Sequence, residues 1–154
     1  MTVGIDATDV VFDNTKRGKD IRQTIEALSA SHPHQQYMLY TPGLGDDTRH
    51  LTGLLAQSNI HIKEPKRAPL FRNRWRSGKG ILFRVQRHHV HVFHGIGGIL
   101  PSAVKKMDLG AVVTIDNLAF KHRPQDYCLI ERWSQNRHYR KACKLADVVV
   151  VPSE

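Results

Sequence analysis

Six short apolar runs punctuate the chain, each bounded by polar or turn-forming residues: 3–7 (VGIDA), 36–41 (QYMLYT), 59–64 (NIHIKE), 90–95 (VHVFHG), 111–115 (AVVTI) and 147–152 (DVVVVP). Runs of this length and composition predict β-strands. The last two are nearly continuous in Val and Ile, the pattern of parallel strands covered on both faces. Between the first two runs, Ile21, Ile25 and Leu28 recur at helical spacing, with Arg22, Gln23, Glu26 and Ser29 elsewhere around the axis. Gly18 marks the start of that helix, and Pro33 stops it because proline cannot continue the hydrogen-bond ladder. Leu51, Leu54 and Leu55 suggest a shorter second helix.

Residues 69–89 can form a third helix: Phe71, Trp75, Leu82 and Val85 fall within about 80° on a helical wheel. Arg72, Arg76, Lys79, Arg84 and Arg87 fall on its other side. Gly78 and Gly80 oppose this assignment by roughly 1 kcal/mol each. A last helix is expected to open near Pro124, a residue favoured at the first helical position, and to run to about Leu145. This alternation predicts an α/β fold, a Rossmann-like open, mostly parallel sheet with helices on both faces. The final strand is followed by Ser153, a good N-cap, and Glu154. That order suggests a domain cut from a longer protein.

Composition narrows the class. A chain of 154 residues is long enough for one domain with a core, and 40% hydrophobic with 24% charged residues is ordinary for a soluble protein. No apolar run approaches the roughly 20 residues that span a bilayer. The start lacks a basic region and a cleavage site, so a cytoplasmic chain is expected. Cys128 and Cys143, placed on one helix, would lie about 22 Å apart, too far for a disulfide. Two reduced, packed thiols are expected.

The net charge of +9 is concentrated. Between Pro65 and Met107 there is no Asp or Glu, while ten Lys and Arg residues occur. Such a field attracts an anionic partner. The stretch from Lys66 to Arg87 reads in three ways: a solvated helix face; a patch for an anionic membrane surface, in which Arg72, Arg74, Trp75, Arg76 and Lys79 sit with Phe71 and Phe83; or a nucleic-acid contact. In the membrane reading each basic residue contributes about 1 kcal/mol near the surface. No helix-turn-helix, zinc-finger or RNA-binding signature accompanies the segment, which ranks nucleic acid last.

Ligands of open α/β sheets collect beyond the carboxyl ends of the strands, so three loops carry the candidate chemistry. Gly18 and Lys19 follow the first strand, where glycine allows close approach and free helix N–H groups favour anions; equally, Gly18 can simply permit a turn. His94 and Gly95 enter a loop that also contains Gly97 and Gly98, glycines that admit a ligand close to the backbone. His89 and His91, if on one strand face, invite a metal, but no carboxylate or cysteine accompanies them. Asp116 and Asn117 follow a buried-type strand and sit at its tip, where water and ligand reach them. The structural alternative is that both only bond the loop backbone, as Asx residues often do.

Four segments together resemble the amino-terminal half of the family-4 glycosyltransferases of GT-B architecture: RGKDIRQTIEAL with HQQYMLYTP, then VFHGIGGILP, VVTIDNLAFKHRPQDY and RKACKLADVVVVPSE. The third is similar to the family block V-V-T-I-H-D-L-x-F-x-x-x-P-x-x-Y, and the fourth to its A-x-x-A-D-x-(apolar)-S-E close. The resemblance implies transfer of a sugar from a nucleotide-sugar donor to a glycan or lipid-linked acceptor, with retention and without a metal or other cofactor. It implies an acceptor-side domain that faces a carboxyl-terminal donor domain across a cleft. Gly18 then matches the glycine-loop position near the donor diphosphate, and His94 and Gly95 match a cleft-lining loop.

Asp116 matches the position of the family histidine that contacts the transferred sugar, and Asn117 replaces the family aspartate. The first loop reads Arg17-Gly18-Lys19 where the family often has G-I-G, and the added cations could bind phosphate. The isolated domain is expected to fold without transferring sugar. The other function class is a stand-alone basic α/β module binding nucleic acid or a phosphorylated ligand.

Overall fold

The computed structural model describes residues 1–12, 16–44, 48–65 and 79–151. Each apolar run becomes a strand: β1 (Thr2–Asp6), β2 (Gln36–Tyr40), β3 (Ile60–Lys63), β4 (Val92–Ile96), β5 (Gly110–Thr114) and β6 (Val148–Val150). Every pairing is parallel, and the spatial order is β3-β2-β1-β4-β5-β6. This is the order of a doubly wound sheet, in which the chain winds outward from β1, returns, and winds the other way from β4. The predicted Rossmann-like α/β fold is the one observed.

The period of two along each strand divides the core. Val3 and Ile5 of β1 and Tyr37 and Leu39 of β2 bury on one face, against Ile21 and Ile25 of helix α2 (Lys16–Ser31). Helices α1 (Thr8–Phe12) and α3 (Thr52–Leu55) close that layer through Val10, Val11 and Leu54. On the other face Tyr40, Phe93 and Val113 meet Ile81 and Val85 of α4 (Lys79–Arg87) and Ala142 of α6 (Leu129–Leu145). Tyr40 is fully buried, and its hydroxyl lies 2.9 Å from Nδ1 of His88, which stacks on its ring. Burial raises the Tyr40 pKa, while burial and then Lys63, Arg84 and Arg87 lower that of His88, so the pair stays neutral near pH 7.

Several sequence expectations require correction. Gly18 does not open α2 but lies in its first turn, after Lys16. Arg22 and Ser29, expected off the apolar face, are buried because their polar atoms find partners. The Arg22 guanidinium donates to the Val10 carbonyl at 2.8 Å, and the Ser29 hydroxyl donates to the Asn59 amide oxygen. Pro124 opens only a 3-10 turn, Pro124–Asp126. Tyr127 is extended, and the long helix starts anew at Leu129, capped by Cys128. The Cys128 Sγ accepts from the Glu131 N–H and the Glu131 carboxylate accepts from the Cys128 N–H, a reciprocal cap. Neither cysteine is packed: both thiols are free and exposed.

The final strand was expected to be covered on both faces, yet Val148, Val149 and Val150 are all exposed: none of them joins either core cluster, whereas Ile60 of the other edge strand, β3, is buried. His89 and His91 share no strand face. They precede β4, His89 has a φ of 50°, and His91 Nδ1 accepts from the Thr2 N–H. Of the expected third helix, only Lys79–Arg87 lies within the described residues; Arg72, Arg74, Trp75 and Arg76 lie outside them.

Asn59 ties the end of α2 to the start of β3. Its amide nitrogen donates to the carbonyls of Ser29 and Gln35, both at 3.1 Å, and its oxygen accepts from Ser29. Replacing it by Ala strands buried carbonyls and a hydroxyl, so Asn59→Ala is expected to cost about 2 to 3 kcal/mol in urea unfolding. A change below about 0.5 kcal/mol would show that water replaces the amide at this joint.

Candidate functional site

Because all six strands are parallel, their carboxyl ends share one edge, and an open cleft of about 910 Å³ lies there. It sits at the reversal of strand order between β1 and β4, where adjacent crossovers leave on opposite faces and the sheet edge stays uncovered. His94 reaches it from β4, Thr114 from β5, and Asp116 and Asn117 from the loop that follows. Asp116 and Asn117, expected at a strand tip, are thus brought together with His94, which was expected in a loop but is the third residue of β4. Gly18, Lys19 and Gly95 are not among the lining residues.

Each of those three has a different explanation. Gly18 is buried in the first turn of α2, and Lys19 is exposed beyond it. The sequence expectation gives Gly95 the role of making room for a ligand. A Cβ there would instead collide with the Ile99 carbonyl and press on Leu100, so the bare α-carbon lets the chain fold back on itself after β4. The turn continues through Gly97 and Gly98, with φ of 78° and 75°, backbone that glycine adopts without strain. Gly97 lines the cleft, while Gly98 makes room for the Tyr139 ring, which stacks on Phe120 at 5.6 Å.

The first wall comes from the amino-terminal half. Asp6, only 3% exposed, ends β1. Its carboxylate accepts from the Thr8 N–H at 3.1 Å and the Thr8 hydroxyl at 2.7 Å. That fixes the turn into α1, which presents Asp9 to the cleft, while α2 adds Asp20, Ile21 and Thr24. The opposite wall is α6, through Gln135, His138 and Tyr139, with Tyr127 from the extended link ahead of it. Sequence reading missed all of these. Asp20 with Thr24, and Gln135 with His138 and Tyr139, do sit at i, i+3 and i+4 spacings that share a helix face. Nothing local says that those faces meet the strand tips.

The chemistry is that of a polar, aromatic-edged groove. Asp9, Asp20 and Asp116 supply carboxylates, and no Lys or Arg is among the described residues that line it. His94 Nε2 lies 2.7 Å from the Thr114 hydroxyl, and burial lowers its pKa, which favours the neutral ring. The Asn117 side-chain oxygen accepts from the Ala119 N–H at 2.6 Å, starting the short helix α5 (Ala119–His122). For Asn117 the structural alternative therefore holds as well as its place in the cleft. Among the described residues, no group of three His, Cys, Asp or Glu side chains converges on a metal position.

No protein-family model, curated protein or solved structure matches the chain. The geometry of the cleft has to carry the functional reading.

The lowered pKa of His94 has a thermodynamic consequence. Below its ordinary value of about 6.5 the unfolded chain takes up a proton that the native chain still refuses, so native stability falls as pH drops and levels off only at the native pKa. His88 adds to the same trend. Urea unfolding between pH 7.5 and 5.0 is expected to show a steeper loss for the natural chain than for His94→Gln. Parallel curves, or an NMR midpoint for His94 at or above 6.5, would contradict a neutral buried imidazole.

Proposed function

We propose that this chain is the acceptor-side domain of a two-domain glycosyltransferase that moves a sugar from a nucleotide-sugar donor to a glycan or lipid-linked acceptor. One observation carries the reading. His94, Asp116 and Asn117 come from segments that separately resemble the family-4 enzymes, and all three line one cleft at the strand-order reversal. The lining also suits a polyol. Carboxylates accept from pairs of sugar hydroxyls, a neutral imidazole and an amide serve as donor or acceptor, and aromatic rings cover the apolar faces of pyranose rings.

In this reading Asp116 is the residue nearest the chemistry. A carboxylate in place of an imidazole holds hydroxyls by charge-assisted hydrogen bonds and adds negative charge near an anomeric carbon that becomes cationic as the glycosidic bond breaks. His94, held against Thr114, orients an acceptor or donor hydroxyl without bringing a second charge. Most of the contacts to the donor nucleotide fall to the opposing lobe, with the Gly18 turn, outside this lining, as the nearest part of this domain to the diphosphate; carboxylates rather than cations along the wall suit that division. Neither a metal nor another cofactor is invoked. Lys19, exposed and outside the lining, is given no contact inside the cleft.

NMR titration of the chain with neutral methyl glycosides, and in parallel with uridine, guanosine and adenosine diphosphates, tests the proposal. A glycoside is expected to shift His94 and residues 114–117 at millimolar concentration, and Asp116→Ala to weaken it about tenfold or more through the lost charge-assisted bonds. Nucleotide or RNA shifts at His94 without any glycoside shift would instead favour a stand-alone binding module and overturn the reading. So would the absence of any glycoside response.

A further inference from the structure

Helix α6 turns Gln135, His138 and Tyr139 toward the cleft and buries Ala142, which leaves the opposite side of the helix to solvent. That outward side is unusual. Leu129 and Ile130 are 77% exposed and Trp133 is 64% exposed. On a helical wheel these three fall in one arc of about 120° together with Arg137, Arg140, Lys141 and Lys144. All four cations are exposed. The one acid of the helix, Glu131, lies outside the arc and is engaged in the cap with Cys128.

The two kinds of residue are separated along the axis. The apolar trio occupies the first turn and a half, and the cations begin about 6 Å beyond Trp133, at Arg137. The Arg137 guanidinium lies over the Trp133 ring, 5.4 Å from its centroid, at the junction.

We propose that this outward face of α6 is a docking surface for an anionic lipid bilayer, made of other residues than the basic stretch from Lys66 to Arg87. Leu129, Ile130 and Trp133 enter the interface between head groups and acyl chains, where an indole is favoured. Arg137, Arg140, Lys141 and Lys144 lie along the phosphates, with their stems over the apolar boundary. Charge and apolarity together select this occupant. A nucleic acid would use the four cations and at most the Trp133 ring, and leave Leu129 and Ile130 in water. A second copy of the chain would cover the trio but oppose two sets of cations. An anionic bilayer satisfies both halves of the face at once.

Flotation of the purified chain with vesicles of phosphatidylcholine alone, or of phosphatidylcholine with phosphatidylglycerol, tests this at low and high salt. Binding is expected only to the anionic vesicles and to weaken with salt. Arg140→Ser with Lys144→Ser should reduce partitioning about thirtyfold, from about fivefold per surface cation. Leu129→Ser, Ile130→Ser and Trp133→Ser combined should reduce it at least as far. All of these positions are exposed, so circular dichroism should register no loss of helix.

The proposal fails if Arg72→Ser, Arg74→Ser and Arg76→Ser abolish vesicle binding while the α6 variants do not. It also fails if the chain binds single-stranded RNA but no vesicle, or if the apolar substitutions change only its oligomeric state. None of these outcomes bears on glycoside shifts at His94, so the two proposals stand or fall separately.

Discussion

Parallel pairing is the constraint on which the rest depends. A parallel sheet returns each strand through a crossover, so all six strands finish on the same edge, and every segment leaving that edge must cross one narrow rim. With β1 and β4 adjacent, the crossovers on either side leave on opposite faces, and a gap opens between them. The cleft follows from strand order. What the sequence adds is the chemistry: Thr114 ends β5, Asp116 and Asn117 lie in the loop beyond it, and His94, two residues inside the end of β4, has the Thr114 hydroxyl as its partner. A polar group at a strand tip keeps solvent or ligand within reach, whereas two residues earlier it would lie in a core that tolerates polar groups only when partnered.

The loop after β4 shows how the rim is kept open. Gly95 lets the backbone double back on Ile99, and Gly97 and Gly98 supply two consecutive left-handed residues. The Tyr139 ring then takes the space that a Cβ on Gly98 would fill and stacks on Phe120, while the Gly98 N–H donates to the Thr114 carbonyl. One turn thereby fixes β5, α5 and α6 against each other. In sequence the glycines suggest room for a ligand; two of the three are room for the protein itself, and of the three only Gly97 lines the cleft.

Much of the architecture was legible because it rests on local periodicity. Strand runs dense in Val and Ile and the Ile21-Ile25-Leu28 stripe specify what they become regardless of partners. The misreadings concern what depends on partners. Arg22 and Ser29 look solvent-facing until the Val10 carbonyl and Asn59 arrive. Val148–Val150 looks doubly covered, yet none of it joins either core and it stays exposed. Pro124 looks like a helix start, but the chain straightens at Tyr127, which lines the cleft, before the helix begins. Of the site, the strand tips could be named in advance. The walls could not, since Asp20, Gln135 and His138 qualify only once α2 and α6 are placed across the gap.

The two proposals meet on α6. Its inward side carries Gln135, His138 and Tyr139, and its outward side carries Trp133 and the cations, about 10 Å apart across a helix diameter. A rigid element with one face in an acceptor groove and the other at a bilayer would hold that groove at a fixed height above the head groups. A lipid-linked acceptor would then reach His94 and Asp116 without leaving its leaflet, and the search for acceptor would take place in two dimensions rather than three. The cations would also offset the electrostatic difficulty of bringing a carboxylate-lined cleft to an anionic surface. The acids stay on one side of the helix and the bases on the other, so attraction and recognition do not compete for the same face.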